Sequence, residues 1–337
     1  MKNITVNQII TLNSIVKFIT ESYSASEIAK NILNEIMIFR RLSTSINACK
    51  DLNCAKCSSP HLSKIITAVK KNKPITFVLP AFPGKSPNPE KVLGYLPDYA
   101  EQLSLNFLEN LCQRIKKFYN PGVKIILCSD GRVFSDVVGM KENHVTAYQI
   151  ELNKLIKKIS FSNISTFNLE NFYGNINFNQ MRNELMKSYG ESLDSLKYKV
   201  GTEQEFNQMY CGITRFLFED TQYSKYSEQT KSRTALLKES RIKAYEVIRR
   251  SQAWSQLIAE QFPEAVRLSI HPQTCGAKKL AIRLIGKENW MTPWHGVAVE
   301  GEKGYILMKR SEAEALGAQL VHSQDGRPSH FDARSIL

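Results

Sequence analysis

Two stretches, ITFVLPAFPGKSPNPEKVLGYLPD (75–98) and KIILCSDGRVFSDVVG (124–139), constrain this chain more than any other feature. In each, a short β-branched apolar run of the buried-strand type empties into a loop loaded with charge. Such a junction marks the carboxyl edge of a parallel α/β sheet that carries a ligand site. The first loop offers Lys85, Ser86 and Asn88; the second offers Asp130, Arg132, Ser135 and Asp136.

The neighbouring segments extend the pattern. Strands are expected at 75–80, 123–128 and 163–169, and helices at 24–42, 61–71, 98–119 and 146–159. Ser24 with Glu27 makes a capping box, Ile28, Ile32, Ile36 and Phe39 form one apolar stripe, and Asn120-Pro121-Gly122 stops the third helix. Strand–helix–strand alternation implies an α/β fold: a Rossmann-like, mostly parallel sheet flanked by helices. The middle, 170–232, reads as mainly helical, and a long helix is expected over 229–261, ahead of Pro263. AVRLSI, KLAIRLI, GVAVE and GYILMK then read as strands of a mixed or antiparallel C-terminal addition, with a loose tail from about 318. The expected parts are 1–170, Rossmann-like with the active-site loops; 171–262, mainly helical; and 263–337, strand-rich and closing the site.

Apolar residues make up 42% and charged residues 23%, which suits a globular protein with a substantial core. No apolar run is long enough to span a membrane, and the first twenty residues read as structure rather than a signal peptide. Seven cysteines without an export signal imply reduced thiols and a cytoplasmic location. A net charge of +13 suits anionic partners, or is a solvated basic surface.

Gly84-Lys85-Ser86 imitates the end of a P-loop, but the required first glycine falls at Leu79, and Pro80 and Pro83 remove backbone donors. No GxGxxG follows a strand, so no dinucleotide cofactor is expected. What remains is a proline-framed loop presenting Lys85, either to grip a phosphate, to form a Schiff base, or as a solvated lysine. In SDGRVFSD, Gly131 permits a tight turn, Arg132 suits a carboxylate or phosphate, and Asp130 is a general base or orients Arg132; a plain Asp–Arg pair is the structural alternative. Arg250, on the long helix with Arg249, either reaches a ligand or belongs to a basic face. His271 and His295, at strand ends, suit proton transfer or core hydrogen bonds. Arg267 and Arg283 alternate with apolar neighbours and can point into the same pocket. Cys49, Cys54, Cys57 and His61 form C-x4-C-x2-C-x3-H: zinc-ligand types at a non-standard spacing, so either a structural metal or reduced thiols.

The wording of both loops, with IRRSQAWSQLIAEQFPEAVRLSIHPQ (248–273) and TPWHGVAVE (292–300), resembles the isonitrile (isocyanide) synthases, grouped with pyoverdine and dityrosine biosynthesis proteins; the likeness spans roughly residues 25 to 310. It implies a carbon–carbon lyase that condenses the amino group of tyrosine or tryptophan with the C2 ketone of ribulose 5-phosphate, that carbon becoming the isonitrile carbon. No cofactor and no site metal are implied. A non-haem iron, 2-oxoglutarate-dependent oxygenase commonly takes the product. On that reading Lys85, Asp130, His271 and His295 are the catalytic candidates. Ser86, Asn88, Arg132, Asp136, Arg250 and Arg267 bind phosphate or the second anion, and Trp294 walls the aromatic ring or packs in the core. The other classes are a Schiff-base lyase or aldolase using Lys85, and a basic nucleic-acid-binding module centred on 225–250, for which no reading motif is present.

Overall fold

The computed structural model describes residues 24–41, 49, 51, 54–159, 162–221, 231–285 and 291–337. The stretch 1–23 and the first residues of the basic run 225–250 lie outside the described residues.

The chain divides into two compact units, each discontinuous in sequence. The first draws on Met1–Leu79, Leu108–Ile125 and Glu264–Arg283; the second on Pro80–Phe107, Ile126–Pro263 and Leu284–Leu337. A five-stranded parallel sheet runs in the order β3-β2-β1-β4-β5. Its strands are β1 (Ile75–Leu79), β2 (Val123–Cys128), β3 (Ile164–Phe167), β4 (Val266–Ser269) and β5 (Leu280–Ala281).

Within the first unit, helix α1 (24–37) buries Ile32 and Ile36, as its apolar stripe requires. Helix α2 (Ala55–Lys70) starts six residues before the expected 61, because Pro60 is accommodated within the helix rather than opening it. β1 pairs in parallel with β4, Phe77 opposite Val266, and β4 with β5, Leu268 opposite Leu280. AVRLSI and the start of KLAIRLI therefore extend the parallel sheet instead of joining the C-terminal addition. Local alternation reports a strand but not its partner.

Between the strands come α3 (Tyr99–Lys116), α4 (Gly131–Val138) and α5 (Glu142–Ile159). The second unit continues with α6 (Leu169–Tyr173), α7 (Phe178–Tyr189), α8 (Leu193–Thr202), α9 (Gln204–Thr221) and α10 (Arg233–Gln261), so the described part of the middle is mainly helical. Ser192 and Ser232 cap α8 and α10 by accepting from the backbone N–H three residues on. A second sheet, ordered β7-β6-β9-β8, holds β6 (Val297–Gly301), β7 (Gly304–Met308), β8 (Gln319–His322) and β9 (Pro328–Asp332), with α11 (Arg310–Ala315) between β7 and β8. It is mixed: β6 is antiparallel to β7 and parallel to β9. The tail is thus not loose; Phe331 and Ala333 bury against Val297, Val299 and Ala313. No helix among the described residues is long and apolar enough to cross a membrane.

Candidate active site

SDGRVFSD is not a loop. Asp130 is the N-cap residue of α4, and Gly131 is its first helical residue. A Cβ on Gly131 would lie 1.8 Å from the carbonyl oxygen of Pro83, so glycine is required by close approach of the two strand-end segments, not by a turn. Gly131→Ala should therefore force backbone apart and lower the unfolding free energy by about 1–3 kcal/mol or more, read by urea denaturation.

Lys85 is buried, its side chain 0% exposed. Its ammonium meets Asp98 at 2.8 Å and Glu101 at 2.7 Å and donates to the Pro293 carbonyl at 2.9 Å. An ammonium has three N–H donors, and three acceptors surround it. Burial pushes its pKa down, but Asp98 and Glu101 outweigh burial and raise it. The amine is therefore held as a cation, the form that cannot attack a ketone. Burial drives Glu101 up to about 8, with Lys85 pulling it down and Asp98 adding to the rise. Tyr148 donates to Glu101 at 3.2 Å, and burial, then Glu101, Asp98 and Asp130 hold the phenol well above its usual range.

Asp130 is half-buried and makes no side-chain capping bond. Burial lifts its carboxyl to about 7, a bond to its own backbone opposing the rise. A helix N-terminus favours the carboxylate, so desolvation here outweighs the dipole. A carboxyl that exchanges its proton near neutrality, directly after a strand, is suited to general acid–base work.

The remaining sequence candidates in this unit are drawn into two further groups. Arg132 is 1% exposed; it donates to Glu170 at 2.8 Å, to Glu142 at 2.6 Å and to the hydroxyl of Thr146, and its guanidinium stacks on Phe178 at 3.7 Å. Arg250 forks onto Asp136 at 2.6 and 3.2 Å and also meets Glu246. Arg182, which the sequence did not single out, bonds Glu142, Ser135 and the Arg132 carbonyl. These arginines are matched by carboxylates and fasten α4 to α5, α6, α7 and α10. In the second group, Ser86 donates to Asp220 at 3.2 Å, Lys91 pairs with Asp220 at 2.5 Å, and Asn88 donates to the Glu219 carbonyl. His295 meets Phe216 edge-on at 4.9 Å, and Trp294 is a core residue, 3% exposed, tilted against Phe82 at 5.3 Å.

Beside Lys85 and Ser86 lies a cavity of about 370 Å³, also lined by Tyr95, Lys141, His144 and Arg310. The rings of Tyr95 and His144 stack at 4.0 Å, and burial, then Lys141, lowers the His144 pKa.

His271 and Arg267 belong to the first unit. Arg267 lies on β4 in register with Val78. His271 follows β4; it keeps an exposed surface, yet desolvation, then the charges of Arg41 and Lys279, holds its pKa at about 4, so it is neutral at pH 7.

The chain belongs to the pyoverdine/dityrosine biosynthesis protein family, whose model matches residues 65–321. It is 46% identical over 305 residues to an L-tryptophan isonitrile synthase of Fischerella ambigua, covering 90% of this chain and 91% of that protein. It is 44% identical over 307 residues to an L-tyrosine isonitrile synthase of Pseudomonas aeruginosa, covering 89% and 92%. The crystal structure of the PvcA protein from Pseudomonas aeruginosa superimposes with a TM-score of 0.85 at 43% identity, over 90% of this chain and 99% of that one.

Proposed function

We propose that this protein is an isonitrile synthase that joins the amino group of tryptophan or tyrosine to the C2 ketone of ribulose 5-phosphate. The observation that carries the reading is near-full-length likeness, at 42–46% identity, to synthases named for those two amino acids. The residues support it on their own terms. Attack of the amine on the ketone and loss of water give an imine, and release of C2 as the isonitrile carbon requires repeated proton transfers. Asp130 is the proton-transfer group, and His295 and His271 are further candidates. Lys85 acts as a positioning residue: with Asp98 and Glu101 it fixes the loop that lines the cavity. Lys141 and Arg310 supply positive charge for a phosphate or carboxylate, and the stacked Tyr95–His144 pair supplies an aromatic face. The Schiff-base reading loses its support, since the Lys85 amine stays protonated and fully engaged.

None of the seven cysteines is in a disulfide, which suits a cytoplasmic enzyme of secondary metabolism. We assign the product to a non-haem iron, 2-oxoglutarate-dependent oxygenase as its consumer. The test is incubation with ribulose 5-phosphate labelled with carbon-13 at C2 and each aromatic amino acid. The expected product is an isonitrile with the label in its terminal carbon, seen by mass and by infrared shift. An unlabelled isonitrile would overturn the sugar phosphate as the carbon source, and no isonitrile from any amino acid would overturn the reading itself.

A further inference from the structure

The first unit contains a group of thiols with no part in the chemistry above. The sulfurs of Cys49, Cys54, Cys57 and Cys275 all lie within 4.8 Å of one another. Cys54 and Cys275 are 3.7 Å apart, and Cys57 and Cys275 are 3.5 Å apart. None is disulfide-bonded. Four thiolates around one zinc ion, with Zn–S bonds near 2.3 Å, have sulfur–sulfur edges of about 3.8 Å. A disulfide would need about 2.05 Å. The spacing is therefore that of a tetrahedral sulfur cage, not of two incipient disulfides.

Hydrogen-bond donors and a helix end face the cluster. Cys54 is the N-cap residue of α2 and Cys57 lies in its first turn, where the helix end favours negative charge. The Gly276 N–H donates to the Cys57 sulfur at 3.4 Å, and φ of +79° at Gly276 is the left-handed turn that a residue with a side chain resists. The buried guanidinium of Arg40 donates to the same sulfur at 2.8 Å and to the Asp51 carbonyl at 2.6 Å. Such donors to ligand sulfur are the usual outer support of a thiolate site and offset part of its excess negative charge. His61, the fourth position of the sequence pattern, stands outside the cluster; it is buried and its Nε2 has no hydrogen-bond partner among the described residues. Burial, then Lys64, lowers its pKa to about 4.

We propose that Cys49, Cys54, Cys57 and Cys275 bind one structural zinc ion as a tetrathiolate site. All four positions being protein sulfur, no open coordination position is left for a substrate, so the ion is structural. It fastens the segment between β4 and β5, which carries His271 and Gln273, to the start of α2. Zinc content and thiol reactivity are read without turnover, so they report on this site whether or not the protein makes an isonitrile.

Protein purified with a non-metal tag under reducing conditions should hold one zinc per chain by plasma mass spectrometry and keep it through dialysis. Zinc absorption-edge fine structure should show sulfur alone in the first shell. A mercurial should release the ion while consuming four thiols that react slowly in the native protein. His61→Ala should retain the zinc and Cys275→Ser should lose most of it; should Cys275→Ser fail to fold, the all-sulfur shell of the unsubstituted protein decides. Background zinc with four freely titrating thiols would overturn the proposal. So would a disulfide among these cysteines in freshly reduced protein, iron in place of zinc, or a nitrogen in the shell.

Discussion

Asp130→Asn should lower kcat/KM for isonitrile formation by about 10²–10⁴-fold, the usual contribution of a positioned general base, while leaving the protein folded. Asparagine keeps the shape of the side chain and cannot take a proton. The pH behaviour separates this from a structural defect. In the native protein burial lifts the Asp130 carboxyl to about 7. The base form is then gained as pH rises through 7, so kcat/KM should climb with one ascending limb centred there, and the residual rate of the variant should lack that limb. Stability runs in the opposite sense. A folded pKa above the unfolded one contributes stability that is complete at the acid end, near the ordinary aspartate value, and is lost as pH climbs through about 7. Asp130→Asn should remove that loss and be as stable as the parent, or more so, above pH 7. A variant with full turnover would exclude Asp130 as the base; one equally damaged in stability at every pH would make its role structural.

Much of this was legible from residue order, for physical reasons that also mark where legibility stops. β1 and β2 are short, mostly apolar runs rich in β-branched residues and bounded by proline, glycine and a polar Ser-Asp, so their limits follow from local chemistry. Asp130 is visible as the first charged group after such a run. α4 was concealed because Ser-Asp-Gly is turn vocabulary, and Gly131 is glycine on account of Pro83, a residue far away in sequence. β8 and β9 were concealed because their residues are mostly polar or exposed, leaving no alternation to read. The same limit governs the sites. Lys85 stands out on its loop, but its partners Asp98 and Glu101 look like ordinary acids opening a helix, and Tyr148 like one more apolar position of α5. The available signal was that Glu101 occurs with Ala100, Ser104, Leu105 and Leu108 on what proves to be the buried side of α3. Cys275 lies 218 residues from Cys57, so the spacing C-x4-C-x2-C-x3-H put forward the nearest histidine in place of the sulfur that folding brings in.

Lys85→Met should lower the unfolding free energy by about 3–5 kcal/mol, the cost of removing one partner from a buried ion pair. Methionine fills nearly the same space, so the loss reports charge and not volume. With the ammonium gone, Asp98 and Glu101 remain in a site where their side chains are at most 4% exposed. Glu101 sets the pH dependence. Its folded pKa, lifted by burial to about 8, lies above the unfolded value of 4.5, so the stability linked to its proton is complete below about 4.5 and is lost as pH rises through 8. The native protein should therefore weaken between pH 6 and 9. Lys85→Met should weaken more steeply over that interval, because no cation then offsets the second carboxylate. Adding Glu101→Gln to Lys85→Met removes the titrating group while keeping an acceptor for Tyr148 and should flatten the profile, recovering part of the loss at pH 9 and less at pH 6. Urea unfolding of the native protein and the two variants at both pH values measures all of this. If Lys85→Met matched the native protein to within about 0.5 kcal/mol, the variation expected of a surface substitution, the buried cation would not be holding this strand-end loop in place, and its role would have to be sought in direct contact with substrate.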